Sequence, residues 1–330
     1  MSGRFTMTRR VAVVGAAASA AAFATRAGAQ AAWPAQTVKI IVPYPAGGST
    51  DVLARILAEK LKEKLGQPFV IENRPGAGGN IGIAAVTGSA PDGYTIGAAT
   101  VGHFSINQYL YAKMPYDPEK DFIPVTMTWE LPNVFVVAAQ HCPAKTVAEF
   151  ITWAKQKGNI SFGSPGVGTS PHLSAALFAT RNGLNGVHVP FRGAAQTIPA
   201  MLAGDVTYAI DNLASYISNI EAGSMRALAV TSEQRWPTLP DVPTMAQAGQ
   251  PNFVVTSWAG WVVPAGTPRP IVERIAAAQK EIAADPDLQK RFQVAGARVL
   301  ASTPEVISAH AAKERPMWQE MVKVSGAKAE

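Results

Sequence analysis

Two stretches of the chain, "YPAGGSTD" (44–51) and "SPGVGTSPH" (164–172), crowd hydroxyls, glycines and an ionisable group together. Such clusters suit three chemistries: attack by an activated serine, cradling of a phosphate, or capture of an anion by backbone N–H groups. Acyl transfer fits poorly. In "GGSTD" Asp51 occupies the place of the second glycine of G-x-S-x-G. Triphosphate binding fits poorly too. "GSPGVGTS" (163–170) has P-loop glycine spacing, but Thr169 stands where the lysine belongs. "GAGGNIG" (76–82) approaches G-x-G-x-x-G with Ile81 in the third glycine's place, and it reads as a tight turn. None of the five histidines, His103, His141, His172, His188 and His310, forms a metal-ligand pair. The one cysteine, Cys142, excludes an internal disulfide and a Cys-rich zinc site. No cofactor or metal is expected, and no nucleophile–base pair is visible. Anion capture remains.

Helix N-termini would do the capturing. Val38 to Pro43 is β-branched and apolar, as in a buried parallel strand. Leu53, Ile56, Leu57, Leu61 and Leu65 then recur at helical spacing, and Gly66 closes the helix. Asp51 is the expected N-cap, with Ser49 or Thr50 as alternatives. The second stretch repeats the design: strand, glycine turn, Ser170 as N-cap, Pro171 at the first helical position. Each helix start offers unpaired N–H groups and about half a positive charge. Two of them facing each other across a cleft would hold a small anion without a lysine.

Four further residues remain open between two readings. His172, in the first turn of its helix, is a neutral hydrogen-bonding residue or a cleft contact. Arg192 follows the apolar strand "HVPF" and is a surface residue or a cleft residue. Asp211 ends the strand "VTYAIDN" and is an N-cap or a functional strand-end group. Trp258 abuts a turn, like Tyr44, and is core or ligand wall.

Strands alternate with helices throughout, which predicts helix-flanked, mainly parallel sheets. The pattern restarts near residue 125 and returns through a proline-rich stretch, "RWPTLPDVPTMAQAG" (235–249). We therefore expect two discontinuous lobes, 33–126 plus 232–330 and 127–231, joined by two crossings. The 330 residues exceed what one core usually serves.

The formal charge of +6 comes largely from the first 31 residues, which hold Arg4, Arg9, Arg10, Arg26 and no acid. Of 29 Lys and Arg, 25 lie beyond them, against 23 Asp and Glu. No basic stripe remains for nucleic acid. Residues 1–31 read as an export signal: a basic n-region, a short apolar run from Val11 to Ala24, and A-x-A cleavage sites at Ala27-Gly28-Ala29 and Ala29-Gln30-Ala31. Arg9-Arg10 fits twin-arginine export, but Ala12-Val13 replaces the usual bulky pair, so general secretion stays open.

Six segments in order, "VPYPAGGSTDVLAR", "VIENRPGAGGNIG", "APDGYTI", "GSPGVGTSPHLS", "VPFRGAAQTIPAMLAGDV" and "RWPTLPDVPTMAQAG", resemble the solute-binding components of tripartite tricarboxylate transporters, the Bug proteins. The resemblance runs from about Trp33 to the C-terminus. It implies a two-lobed α/β periplasmic binding protein of type II-like form, a monomer, that closes on a dicarboxylate or aromatic carboxylate and delivers it to membrane subunits. Carried over, it puts the ligand's carboxylate between Tyr44, Ala46, Gly47, Gly48, Ser49, Thr50 and Asp51 on one side and Ser164, Gly166, Gly168, Thr169, Ser170 and His172 on the other, with Asp211 at the family's Asp-Asn position. Tyr44 stands where phenylalanine is frequent. Positions 102–104, 129–130, 192 and 258 would meet the distal part of the ligand, and Phe104, Trp129 and Trp258 tilt the expectation towards a flat acid. A sensor component serving a signalling partner, and a periplasmic enzyme on a similar scaffold, are the alternatives.

Overall fold

The computed structural model describes residues 33–329. The expected export signal, 1–31, lies outside the described residues. The first wing contains β1 (Val38–Val42), α1 (Ser49–Leu65), β2 (Phe69–Asn73), α2 (Asn80–Thr87), β3 (Thr95–Thr100) and the short α3 (Asn107–Leu110). β4 (Phe122–Ala138) follows and leads into α4 (Val147–Lys157), β5 (Ile160–Ser164), α5 (Ser170–Arg181), β6 (Gly186–Pro190), α6 (Ala194–Ala203), β7 (Tyr208–Asn212), α7 (Ile217–Glu221) and β8 (Met225–Val230). The chain returns through β9 (Thr256–Pro264), α8 (Arg269–Ala283), α9 (Pro286–Val294), β10 (Arg298–Val299) and α10 (Pro304–Ser325).

The strand order is β2-β1-β3-β9-β4-β7-β5-β6, with β8 and β10 also pairing β4. Each outer wing is parallel: β1 with β2 and β3, β5 with β6 and β7. The middle is antiparallel, since β9 pairs both β3 and β4, and β4 pairs β7, β8 and β10. The sheet is therefore mixed: parallel in each outer wing, as expected, and antiparallel through the middle. The antiparallel strands are the ones that carry the chain between wings, which strand–helix alternation does not register.

β4 serves both wings. From Phe122 to Pro132 it pairs β9, and from Asn133 onward it pairs β7 and β8. The strand continues past residue 126, with register shifts between Pro124 and Thr126 and between Met127 and Trp129, and its change of partners falls between Pro132 and Asn133. The strands thus form one succession joined through β4.

Period-two alternation sorts the core. Val38, Ile40 and Val42 face α1 and α8, while Ile41 belongs to the opposite cluster with Ile83 and Phe104. On β4, Val134 and Val136 pack towards Met201 and Tyr216, and Phe135 and Val137 towards Phe150 and Phe178. Tight packing of both faces holds the strand ends, and so the loops after β1, β5 and β6, in fixed places.

Candidate functional site

Those three loops meet at one cavity. It is lined by Tyr44, Pro45, Ala46, Gly48, Ser49 and Thr50 from the β1–α1 junction, by Pro165, Thr169, Ser170 and Pro171 before and in α5, and by Gly193, Ala194 and Ala195 at the start of α6. Thr100 at the end of β3 with Val101 and Gly102 after it, Ser257 on β9, Asp211 and Asn212 at the end of β7, and Ser215 just beyond it complete the wall. The space admits the centres of water-sized spheres over ≈ 40 Å³. With about 10–15 Å³ per water centre, that is room for about three waters, or for a carboxylate and a short stem.

Three helices of 17, 12 and 10 residues point their N-termini at this space. Among the described residues, the N–H groups of Gly48, Thr50, Ser170, Ala194 and Ala195 have no acceptor within the chain. No Lys, Arg or His among the described residues lines the cavity. Donors and partial positive charge therefore come from backbone alone, an arrangement suited to one small anion.

The caps differ from expectation. Gly48 is the N-cap of α1 and offers no side chain. Asp51 sits in the first turn, where its Oδ2 accepts from the Gly47 N–H at 2.9 Å and from Arg55 Nε at 3.0 Å, and its Oδ1 from Asn73 Nδ2 at 2.9 Å. Burial works to raise this carboxyl, but the bonds from Arg55, Gly47 and Asn73 outweigh it and hold it below its ordinary range. Asp51 thus braces the loop from behind. Gly47 does so through its φ of +81°, a conformation that favours glycine. Thr169, not Ser170, caps α5: its Oγ1 accepts from the His172 N–H at 3.4 Å. Ser170 is the first helical residue and Pro171 the second. Thr169→Ala should accordingly lower stability by about 0.5–2 kcal/mol in urea unfolding. Ser170→Ala, which removes no cap, should cost less than the Thr169 change.

Under the second loop lies a layer the sequence did not reveal. His172 and His188 stack with ring centroids 3.9 Å apart, and Phe162 stacks on His188 at 5.1 Å. Nδ1 of His172 accepts from the Gly168 N–H at 3.3 Å. His188 Nε2 lies 2.7 Å from the Ser164 hydroxyl, which also accepts from the Gly166 N–H at 3.2 Å. This is a serine–histidine pair, yet Ser164 is fully buried and His188 partly so, and neither belongs to the cavity wall. The pair shapes the loop. Gly166 and Gly168, at φ of +138° and +83°, shape it with them.

Burial depresses three imidazoles: His103 to about 4, His188 to about 4 and His172 to about 3, the last with help from the His188 charge. Unfolded, each titrates near 6.5. The unfolded chain binds protons first on acidification, so their contribution is complete above about 6.5 and is lost as pH falls towards 4. Asp211 opposes them with the reverse sign, one group against three. The urea midpoint should fall steadily from pH 6.5 to 4, and a midpoint that rises over that interval would refute this assignment.

Arg192 is exposed and lines a neighbouring groove of ≈ 690 Å³ with Gly78, Tyr111, Phe191 and Lys328, outside the cavity. Tyr44 and Pro165 are shared by both spaces. The Tyr44 hydroxyl bonds Thr100 Oγ1 at 3.1 Å and the Gly78 carbonyl at 3.4 Å, and burial pushes its pKa up to about 12. Trp258 is core: it stacks on Phe104 at 5.1 Å and donates to Glu314 at 2.8 Å. Trp129 is buried against Trp261. Asp211 does line the cavity. It is 1 % exposed, its Oδ1 accepts from the Asn212 N–H at 2.7 Å and its Oδ2 from the Tyr216 hydroxyl at 3.0 Å. Burial raises it to about 7.

The family model for the tripartite tricarboxylate transporter family receptor, TctC, matches residues 53–326. The chain belongs to this family. Among curated TctC-type relatives, a UPF0065 protein in the tcbD-tcbE intergenic region of Pseudomonas sp. strain P51 is 37% identical over 316 residues, covering 95% of this chain and 94% of its own. Protein BugT of Bordetella pertussis is 34% identical, covering 98% and 99%. Among solved structures, R. palustris Rpa4515 with adipate superposes with a TM-score of 0.87 at 35% identity, covering 90% and 99%. MatC from Rhodopseudomonas palustris with bound malate gives 0.82 at 32%, covering 88% and 100%. The α/β fold of this TctC chain is that of the periplasmic binding proteins, with a mixed sheet and flanking helices.

Proposed function

We propose that the chain is a periplasmic solute-binding protein that captures a small carboxylate between its two wings and delivers it to the membrane subunits of a tripartite tricarboxylate transporter. The observation that carries the reading is the convergence of three helix N-termini on a cavity without a basic side chain. It is supported by neighbours whose structures contain adipate and malate. The wings, divided where β4 changes partners at Pro132–Asn133 and again between Thr231 and Val255, would move about those two crossings. The wall is mostly small residues, and Phe104, Trp129 and Trp258 are buried elsewhere, which favours an aliphatic acid over a flat aromatic one. Ser164 and His188 stand off the cavity wall, which supports release of the acid unchanged.

A thermal-shift screen of the purified protein against di-, tri- and aromatic carboxylates tests this. A bound acid at a hundred times its Kd should stabilise by about 2.7 kcal/mol. A panel without a single stabilising acid would count against carboxylate capture.

A further inference from the structure

The cavity contains one ionisable group that ought to repel a carboxylate. Asp211 ends β7 on the same wall as Gly48, Ser170 and Ala195. Its oxygens accept only from neutral donors, the Asn212 N–H and the Tyr216 hydroxyl. Among the described residues, the surrounding elements bring no cation to it. β4 places Val134 opposite Asp211 in register, and β5 pairs β7 through Phe162 and Gly163. On α5 the nearby titratable group is His172, kept neutral by burial and by His188. On α1 it is Asp51, turned to Arg55 and Asn73. Tyr44 across the cavity is a neutral phenol, engaged by Thr100 and Gly78.

Two ionised carboxylates in this space would repel each other with only backbone dipoles to offset them, and one proton between them removes the conflict. We propose that Asp211 is the proton-holding residue of the site: a carboxylate solute binds together with one solvent proton, which Asp211 keeps and donates as a hydrogen bond to a solute oxygen. No other bond is made or broken. The proposal rests on the carboxylate reading above and extends it, making Asp211 a specificity residue that accepts pure acids only at the cost of a proton.

Calorimetry with adipate, malate and benzoate, from about pH 6 to about pH 9 in phosphate and in Tris, separates proton uptake from binding heat. Uptake should approach one proton per acid at the alkaline end. Kd should rise about tenfold per pH unit once Asp211 is ionised in the free protein. Asp211→Asn, which is isosteric and uncharged, should bind near pH 6, take up no proton and show a pH-independent Kd. A wild-type protein with no uptake and a flat Kd overturns the proposal, as does uptake that survives in Asp211→Asn. The wild-type buffer comparison decides alone if the variant folds poorly. Binding of none of the three acids at any pH would overturn the carboxylate reading itself.

Discussion

The primary amide of a bound acid should bind at least about a hundredfold more weakly than the acid. The wall supplies N–H donors from Gly48, Thr50, Ser170, Ala194 and Ala195. A carboxylate offers two acceptor oxygens. An amide turns two donors towards these donors and carries no charge for the helix termini to stabilise. Each charge-assisted bond contributes about 1.5–3 kcal/mol when buried. Losing two costs about 3–6 kcal/mol, and every ~1.4 kcal/mol is tenfold. Asp211 and the Asn212 carbonyl can each accept an amide proton, which places the expected loss near the lower end. Titration calorimetry of the acid and its amide side by side measures the difference, and equal affinities would remove the anion clamp.

Gly78→Ala should weaken binding about tenfold to a hundredfold while leaving the fold intact. Gly78 has a φ of +63°, and a β-carbon there would lie 2.8 Å from the Val167 carbonyl oxygen and 2.7 Å from the Tyr111 hydroxyl. Val167 belongs to the loop before α5, in the other wing. The methyl would stand between the wings like a wedge. Overpacking of this kind costs about 1–3 kcal/mol, and the left-handed backbone adds about 1–2 kcal/mol of strain. Gly158→Ala is the control: its φ is +78° with nothing within 4 Å of the added carbon. Both variants should lose stability by urea unfolding, but only Gly78→Ala should lose affinity. If the two lose affinity alike, the loops are not pressed together in the bound form.

Local signals made much of this site legible. Glycine turns and strand-end position pointed to Tyr44, Ser49, Ser170 and Asp211, and the family resemblance added Thr169; all five line the cavity. The start of α6 escaped because its N-cap is Gly193, with no capping side chain, and because its sequence is alanine-rich with Pro199 inside. The caps lie before the expected positions, Thr169 one residue before Ser170 and Gly48 three before Asp51, since Ser49, Thr50 and Asp51 are all good cap residues and draw the eye past a glycine. Trp258 shows how sharp the limit is. Its neighbour Ser257 faces the cavity, and one step along a strand turns the indole into the core. The antiparallel placement of β9, far from its neighbours in sequence, is a tertiary fact that no local pattern records. The stacked pair His172 and His188 is likewise assembled from separate elements.

β4 has a mechanical consequence. It is a single strand of 17 residues anchored by β9 along one half and by β7 and β8 along the other. Pro132 has no N–H to pair, and beside it the Asn133 N–H is held by the Thr231 hydroxyl at 2.9 Å. Any excursion of one wing from the other must flex this strand where its partners change, as a leaf spring flexes between two clamps. A spring returns what is put into it. If the wings move about the two crossings proposed above, part of the restoring force would reside in the chain itself, around Pro132 and in the return between Thr231 and Val255.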